Sequence, residues 1–260
     1  MCASCATRST AEFERGAEGT FPSPRSVESF FVAVPGATRI DDQRRIRRGD
    51  AVRVTVVRLG EAPRAEFRRG APEAAHRDTA ALAVNVTPWR HGADGPIPVG
   101  IVWNGEVLES APRPPYWALV VDREHGWSMR EQASLLPQAA RDEYRLALGA
   151  FYPLVRDGMN VAGRYPGARF RAARVAVGGN RRETIVVATG GSRVGPGPER
   201  AGLTTIELAD VMADAGATWA LNLDGGRSAF VELPGGKVLP DGIPLRRPGS
   251  VILFTNIDRN

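Results

Sequence analysis

The segment Asn222-Leu-Asp-Gly-Gly-Arg-Ser228 has the residue types of a site that acts on an anionic ligand. An apolar run ends here, and polar residues and glycines follow it directly. Asn222 and Asp224 are two residues apart, so on a strand both side chains point to one face. Gly225 and Gly226 permit backbone conformations that other residues avoid, and their amides can form a nest for an anion.

The last two residues of the segment add donors for the same chemistry. Arg227 can clamp a phosphate or a carboxylate with two parallel hydrogen bonds, and Ser228 offers a hydroxyl. The alternative is purely structural, because Asp-Gly-Gly between two strands is a common hairpin turn. In that case Asp224 caps the turn through its own backbone amides. Spacing alone leaves both interpretations open.

The elements that must position this segment are mostly strands. A helix is predicted just before it, because Thr204 and Glu207 have the spacing of a capping box and Gly216 suits the position after the helix end. The longest helical pattern, over 128–148, is interrupted by Pro137. Strands are predicted at residues 29–34, 52–57, 80–86, 96–103, 116–122, 173–177, 184–189, 218–223, 228–233 and 250–254.

These elements predict an α+β fold, because about ten strands and two main helices show no regular alternation in the first half of the chain. We expect a single domain with a mixed β-sheet core and a few packed helices over residues 28–260. Residues 1–27 have the composition of a disordered or loosely attached tail. The arginine-rich residues 39–48 are predicted to form a solvated turn, and residues 60–78 a loop.

The charge balance allows an anionic partner but does not indicate nucleic acid. The net charge is +5 and the isoelectric point is about 9.8. Lys237 is the only lysine, and the arginines are spread along the chain among acidic residues. They do not alternate with stacking aromatic residues, as they often do in proteins that bind single strands. A local phosphate site remains compatible with this charge.

No metal site or cofactor is predicted. The cysteines, Cys2 and Cys5, form a single CxxC pair within the predicted tail, with no second pair to complete a zinc site. The three histidines, His76, His91 and His125, do not have the spacing of metal ligands. The pattern therefore predicts no cofactor.

The sequence gives limited information on localisation. It contains no apolar stretch of about 18 residues, so no transmembrane segment is predicted. No signal peptide is visible. Cys2, followed by small residues, suits a lipoprotein from which the signal has been removed. The oligomeric state is left open.

The same segment resembles the Asn-Leu-Asp-Gly-Gly-Gly-Ser signature of the phosphodiester glycosidase family. The preceding Gly202-Leu-Thr-Thr-Ile-Glu-Leu-Ala209 resembles the Gly-x-Thr-x-x-Glu-Leu-Ala helix of that family. Weaker matches follow in the order of the family, and together they extend over roughly residues 50–257. These matches are Ala83-Val-Asn85, Pro98-Val-Gly100, Asn104-Gly105, Leu148-Gly-Ala150, Asp157-Gly158 and Arg174-Val-Ala-Val-Gly178.

The resemblance implies a glycosidase-type hydrolase that cleaves a sugar-1-phosphodiester. Bacterial members of the family are tied to surface polysaccharides, which implies an extracytoplasmic or secreted protein. Asp224 is the implied catalytic carboxylate, and Asn222 either orients it or binds sugar hydroxyls. Arg174 is the implied phosphate clamp. The other implied substrate-binding residues are Asn85, Gly225, Gly226, Arg227 and Ser228.

Three departures from the family pattern keep a second interpretation open. Arg227 replaces the third glycine, Val86-Thr87-Pro-Trp89 replaces Gly-Gly-Phe-Phe, and Thr189-Gly-Gly replaces Asp-Gly-Arg. A non-catalytic carbohydrate or surface-polymer binding protein on the same fold would tolerate such changes. Trp89 is then a candidate platform for a sugar, or a residue of the core. The enzyme interpretation predicts that Asn85, Arg174, Asn222 and Asp224 converge on one cleft.

Overall fold

Strands dominate the structure, a computed structural model. It describes residues 9–10, 26–34, 39–41, 44–46, 50–60, 63–70, 82–92, 95–124, 126–189, 202–233, 236, 238–239 and 249–255. The strands among these residues are β1 (Ser9–Thr10), β2 (Ser26–Val34), β3 (Arg39–Asp41), β4 (Arg44–Ile46), β5 (Asp50–Leu59), β6 (Arg64–Arg69), β7 (Leu82–Asn85), β8 (Trp89–Gly92), β9 (Gly95–Pro98), β10 (Val102–Trp103), β11 (Leu108–Ser110), β12 (Trp117–Asp122), β13 (Trp127–Glu131), β14 (Tyr144–Gly149), β15 (Pro153–Arg156), β16 (Met159–Asn160), β17 (Arg174–Gly179), β18 (Thr184–Thr189), β19 (Trp219–Asn222), β20 (Val231–Glu232), β21 (Val238–Leu239) and β22 (Ser250–Thr255). The α-helices are α1 (Gln138–Asp142) and α2 (Thr205–Asp214).

Three larger sheets and two small hairpins organise these strands. The eight-stranded sheet has the order β1-β2-β5-β18-β17-β19-β15-β16. The two five-stranded sheets have the orders β11-β10-β14-β12-β13 and β21-β20-β7-β22-β6. β3 pairs with β4, and β8 pairs with β9.

Every pairing among the described strands is antiparallel. For these strands the prediction of a mixed sheet is therefore wrong. The reason lies in the connection through α2. β18 and β19 run in the same direction, as a helical crossover requires, but β17 lies between them and pairs antiparallel with both. The predicted combination of helices and sheets holds in its coarser form, with strands in the majority.

The core lies where the three sheets meet. One buried cluster includes Val177 and Leu221 of the eight-stranded sheet, Leu148 of one five-stranded sheet and Ile252 of the other. A second cluster fills the opposite face of the eight-stranded sheet, where α2 packs through residues such as Met212. The central strands of the eight-stranded sheet are therefore buried on both faces, and their polar ends meet the surface only at the edges of the sheet.

The start of α2 confirms the predicted capping box. The hydroxyl of Thr204 accepts the amide of Glu207 at 3.2 Å, and the carboxylate of Glu207 accepts the amide of Thr204 at 2.9 Å. Gly216 follows the helix end with φ of +93°, a conformation that favours glycine. Local sequence signals therefore fix both ends of the helix that precedes the candidate site.

The predicted helix over residues 128–148 is wrong. This stretch contains β13, a 3-10 turn over Gln132–Leu135, the short α1 and β14. β14 lies between β10 and β12 in its sheet, and nearly all of its side chains are buried. A strand buried on both faces has a nearly continuous apolar sequence, which periodicity alone does not separate from a buried helix.

Two predicted irregular regions also contain strands. Residues 39–48 contain the β3–β4 hairpin, and residues 60–78 contain β6, which pairs with β22 along its length. Both predictions are corrected to this extent, while residues 71–78 lie outside the described residues. Polar, arginine-rich strands at sheet margins carry little apolar pattern, so the sequence did not reveal them.

Several expectations fall outside the described part of the chain. Within residues 1–27, Ser9–Thr10 pairs with Glu28 and Ser29, residues 26–27 belong to β2, and the rest is not described. His76, His125, Cys2 and Cys5 are not described either, and nor is the side chain of His91. None of the described helices has the length and apolar character needed to cross a membrane.

Candidate active site

The loop that follows β19 is held from two sheets. The amide of Leu223 donates to Val175 of β17 at 3.0 Å, and the amide of Asp224 donates to Val86, just after β7, at 3.2 Å. The backbone therefore leaves its own sheet at Asp224 and turns toward a neighbouring one. This turn places the polar part of the segment at the junction of the two sheets.

The side chain of Asn85 stabilises this loop through two hydrogen bonds. Its Nδ2 donates to the carbonyl of Asp224 at 2.8 Å, and its Oδ1 accepts the amide of Phe230 at 3.1 Å. The side chain is only 2% exposed. The sequence left three roles open for Asn85: sugar binding, orientation of Asp224, or a structural role at a strand end. In the structure both ends of its amide group bond to the loop backbone.

The two glycines are required by the close path of the loop. A Cβ on Gly225 would lie 2.8 Å from the carbonyl oxygen of Ala173, and Gly226 has φ of +62°. The amide of Gly225 donates to Oδ1 of Asp224 at 2.9 Å, and the amide of Gly226 donates to Ala173 at 2.8 Å. Both amides therefore donate to other groups of the protein, and in this arrangement they are not free for an anion.

Burial and hydrogen bonding have opposite effects on the pKa of Asp224. Burial raises the pKa of its carboxyl to about 6, against the opposing effect of hydrogen bonds from the amide of Gly225 and the side chain of Ser228. A carboxyl that changes its charge near neutrality is typical of functional sites. Ser228 therefore stabilises the ionised form of Asp224.

Arg174 is partly buried and anchored by backbone carbonyls. Its Nη2 donates to Phe170 at 2.6 Å and its Nε to Leu203 at 3.3 Å. Its amide donates to the hydroxyl of Thr189, the residue at the position of the family's aspartate. Burial lowers the pKa of the guanidinium. Among the described residues, we find no carboxylate paired with it.

Arg174 and Asp224 are brought together by strand register. Ala176 pairs with Asn222, and continuing this register by two residues places Arg174 opposite Asp224. Asn222 shares a strand face with Ala176 and Arg174, while Asp224 follows in the loop after β19. The Cδ of Arg174 lies 3.8 Å from the Cβ position of Gly225, which confirms this proximity.

A cleft of ≈ 350 Å³ opens beside these residues, and both Arg174 and Asn222 line it. Asn222 is 5% exposed, and its Oδ1 has no hydrogen-bond partner among the described residues. A buried acceptor without a partner is costly to the protein alone. A ligand hydroxyl that donates to Asn222 would satisfy it.

Aromatic side chains form the remaining wall of this cleft. The ring of Tyr152 stacks on Tyr165 at 4.9 Å between centroids and lies 5.4 Å from Tyr116. Phe170 also lines the cleft and is 75% exposed. Burial, and to a lesser extent the neighbouring Tyr116, raises the pKa of Tyr152, so its phenol is a neutral donor near pH 7.

Sequence reasoning missed these aromatic residues. They come from three separate segments, around Tyr116, around Tyr152, and from residues 161–173, which we call the wall loop. Three of the four tyrosines in the chain line the cleft. Their position next to prolines, in Pro115-Tyr116, Tyr152-Pro153 and Tyr165-Pro166, was a signal for exposed aromatic residues at strand ends.

The remaining predicted residues lie around the cleft rather than in it. Arg227 is exposed in the 3-10 turn of residues Gly226–Ser228 and does not line the cleft. Trp89 packs against the backbone at Gly249, where a Cβ would lie 2.5 Å from its ring, in agreement with a core role. Thr87 is buried, and its hydroxyl has no partner among the described residues.

Among the described residues, no three His, Cys, Asp or Glu side chains gather closely enough to hold a metal ion. The polar groups around the cleft are a carboxylate, amides, phenols and a guanidinium. Such a set can bind a charged sugar derivative and stabilise charge at its anomeric carbon.

The comparison with known families agrees with this geometry. Residues 78–251 match the family described as phosphodiester glycosidase, and they make up more than half of the 260 residues. The chain therefore belongs to the phosphodiester glycosidase family. A search of curated proteins finds no match.

Solved structures share the fold at low identity. One is the catalytic domain of zebrafish N-acetylglucosamine-1-phosphodiester alpha-N-acetylglucosaminidase, auto-inhibited by its pro-peptide. It is 15% identical, with a TM-score of 0.59, over 97% of this chain and 88% of that one. Another is a hypothetical protein from Synechocystis, 17% identical with a TM-score of 0.58, over 89% of this chain and 62% of that one. At these identities the similarity shows the fold alone.

Proposed function

We propose that this protein hydrolyses a sugar-1-phosphodiester, with Asp224 as the catalytic carboxylate. The observation that carries the proposal is that Arg174 and Asn222 line one aromatic cleft, with Asp224 two residues beyond Asn222 on the adjoining loop. Membership of the phosphodiester glycosidase family supports the same reaction class.

The proposed reaction breaks the bond between the anomeric carbon and the phosphate oxygen. Water supplies the new hydroxyl group on the sugar and gives up its second proton to Asp224 or to solvent, while the phosphate leaves with the electron pair of the broken bond as a monoester dianion. Because phosphate is a good leaving group, the strong general acid of ordinary glycosidases is not required. This explains why one carboxylate, Asp224, is sufficient. It acts in its ionised form, as base, nucleophile or electrostatic partner of the cationic transition state.

The other residues bind and orient the substrate. Arg174 uses two of its five N–H groups on carbonyls of the protein, and the other three, which have no partner among the described residues, donate to the phosphate. Asn222 accepts a hydrogen bond from a sugar hydroxyl, and the aromatic wall packs against the sugar ring. Asn85 orients Asp224 through the loop backbone. Arg227 contacts the part of the substrate that extends beyond the cleft.

The test is release of free sugar from a panel of α-linked sugar-1-phosphate alkyl diesters, beginning with N-acetylglucosamine. We expect Asp224→Asn to lower kcat/KM by at least about 100-fold, the typical contribution of one catalytic acid or base. Asp142→Asn, at an exposed position of α1, is the matched control and keeps full activity. Absence of turnover across the panel, or an active Asp224→Asn variant, would contradict the proposal.

A second candidate is a non-catalytic protein that binds carbohydrate or a surface polymer. It is favoured by Arg227, at the third glycine of the family signature, and by Val86-Thr87-Pro-Trp89, at the position of Gly-Gly-Phe-Phe. This candidate predicts glycan binding without turnover, and equal binding by wild type and Asp224→Asn. Isothermal titration with the same diesters separates the two candidates.

The biological setting belongs to the same proposal. We place the protein in surface polysaccharide metabolism, outside the cytoplasm, with residues 28–260 as one phosphodiester glycosidase-like domain. The basic composition supports an anionic substrate. Detection of the protein in a secreted or membrane-anchored fraction of its source cell tests this setting.

A further inference from the structure

A second cleft, of ≈ 470 Å³, lies apart from the candidate active site. Its lining includes Trp219 of β19, Arg156 of β15 and Trp117 of β12. Arg156 is the cross-strand partner of Trp219, and its guanidinium lies 5.2 Å from the ring centre of Trp117. The cleft is therefore built on the paired strands β15 and β19 and on β12 of a five-stranded sheet, and not on loops alone.

Strands β15 and β19 contribute to both clefts, but β19 presents opposite faces to them. Asn222 and Trp219 are three residues apart on β19, so their side chains point to opposite faces about 10 Å apart along the strand. Trp219 packs at the edge of the cluster between the sheets. Ala176, the partner of Asn222, belongs to the cluster under α2. A ligand in the second cleft therefore does not contact the residues proposed for catalysis.

The side chains of the second cleft balance in charge. Arg130 and Arg156 are matched by Glu131 and Asp157, so the lining carries two groups of each sign. A cleft of this kind does not select strongly for an anion or a cation. This distinguishes it from the first cleft, where Arg174 has no carboxylate partner among the described residues.

The polar groups of the second cleft are held in place before any ligand binds. Nε of Arg130 donates to the hydroxyl of Tyr144 at 2.9 Å, and Arg156 rests on the ring of Trp117. Side chains that are already ordered lose little conformational entropy on binding. Ser128 adds a small hydroxyl at the same cleft. Indole faces with a few fixed polar groups are the composition of a ligand site.

We propose that the second cleft binds an uncharged sugar unit of a glycan, against Trp219, independently of the candidate active site. The apolar face of a pyranose ring fits an indole ring, and its hydroxyls both donate and accept hydrogen bonds. Arg130 and Arg156 supply donors, while Glu131 and Asp157 supply acceptors. Balanced charge and paired donors and acceptors favour a neutral sugar over an anionic one.

The test is ¹⁹F NMR of the full chain labelled with 5-fluorotryptophan, which contains five tryptophans. Trp219→Phe assigns the resonance of Trp219, and unchanged signals from the other tryptophans show that the fold is intact. The probes are maltose, cellobiose and N,N′-diacetylchitobiose, with glucuronic acid and glucose-1-phosphate as anionic comparators. We expect at least one neutral disaccharide to shift the Trp219 resonance in a saturable way.

Two variants locate the binding. Arg156→Ala, at an exposed position, should weaken the sugar about tenfold, the effect of one lost hydrogen bond to a charged group. Asp224→Asn should leave the affinity unchanged, whether or not the protein is a hydrolase. The proposal is overturned if no probe shifts Trp219, if Arg156→Ala binds like wild type, or if the anionic sugars bind more tightly than the neutral ones.

Discussion

Asp224 combines a buried carboxyl with donors that favour its ionised form, and burial has the larger effect. The pKa near 6 that results means that the carboxyl changes charge within the physiological range. Because the proposed chemistry uses the carboxylate, we expect kcat/KM to rise as pH rises through about 6 and then to level off. Initial rates from pH 4.5 to 8 on a sugar-1-phosphodiester measure this profile.

Ser228 provides the matched variant for this profile. Its side chain donates to Asp224 and lowers the pKa of the carboxyl. In Ser228→Ala the rising limb should therefore move to higher pH, while the plateau changes less. A profile that falls above pH 6 would instead assign the protonated carboxyl as the active form and would contradict the proposed role.

At the residue scale, the sequence predicted that Asn222 and Asp224 lie close together. Their proximity follows from a spacing of two, and the register with β17 brings Arg174 to them. The role of Asn85 was left open between sugar binding, orientation of Asp224 and a structural role, because its hydrogen bonds to Asp224 and Phe230 span about 140 residues of chain. Spacing along the chain carries no information on such contacts.

One ion pair connects α2 to the aromatic wall of the cleft. Arg171 of the wall loop donates from both terminal nitrogens to Glu207, at 2.9 and 2.8 Å. Although burial alone would raise the pKa of Glu207, hydrogen bonds from Arg171 and Thr204 lower it. The pair therefore stabilises the fold above the unfolded pKa of glutamate, and this contribution is lost as pH falls through the lower folded value.

We expect Glu207→Gln to reduce the free energy of unfolding by about 1 kcal/mol at pH 7, since the pair is only partly exposed and bidentate. The difference should fade as pH falls through the lowered pKa of Glu207, where the wild-type carboxyl becomes protonated as well. KM should rise more than kcat falls, because the wall loop loses its anchor. Urea unfolding at pH 7 and pH 3.5 measures the first effect, with the exposed Asp214→Asn as control. Equal stability of Glu207→Gln and wild type at pH 7 would contradict the structural role of the pair.

At the scale of elements, prediction succeeded where the information is local. α2 was predicted with both of its ends because a capping box and a glycine after the helix act within a few residues. β14 was predicted as helix because its identity depends on β10 and β12, its partners on either side. Tertiary pairing overrides local propensity for such central strands.

The whole molecule places its candidate site where two of its sheets approach each other. The loop after β19 donates hydrogen bonds to β17 in the eight-stranded sheet and to Val86, and it accepts one from Asn85 at the end of β7 in a five-stranded sheet. The sequence predicted the α+β class, but the number of sheets and their meeting point depend on long-range pairing. The position of the site is therefore a property of the assembled core, and its carboxyl experiences the dielectric environment of that core.

This placement predicts that the proposed catalytic carboxylate costs the molecule stability. The pKa of Asp224 rises from 3.8 to about 6 on folding, so ionisation opposes folding above these values. Asp224→Asn carries no charge at any pH and can still accept the amide of Gly225 through its Oδ1. We expect this variant to exceed wild type in free energy of unfolding by about 1 to 3 kcal/mol at pH 8.

The difference in free energy of unfolding should shrink between pH 6 and pH 4 and disappear below pH 4, where the wild-type carboxyl is protonated in both the folded and the unfolded state. Thermal and urea unfolding across this range measure the effect, with exposed Asp142→Asn expected to follow wild type throughout. A variant that is less stable than wild type at pH 8 would mean that the ionised carboxylate supports the loop through its hydrogen bonds more than its burial opposes folding.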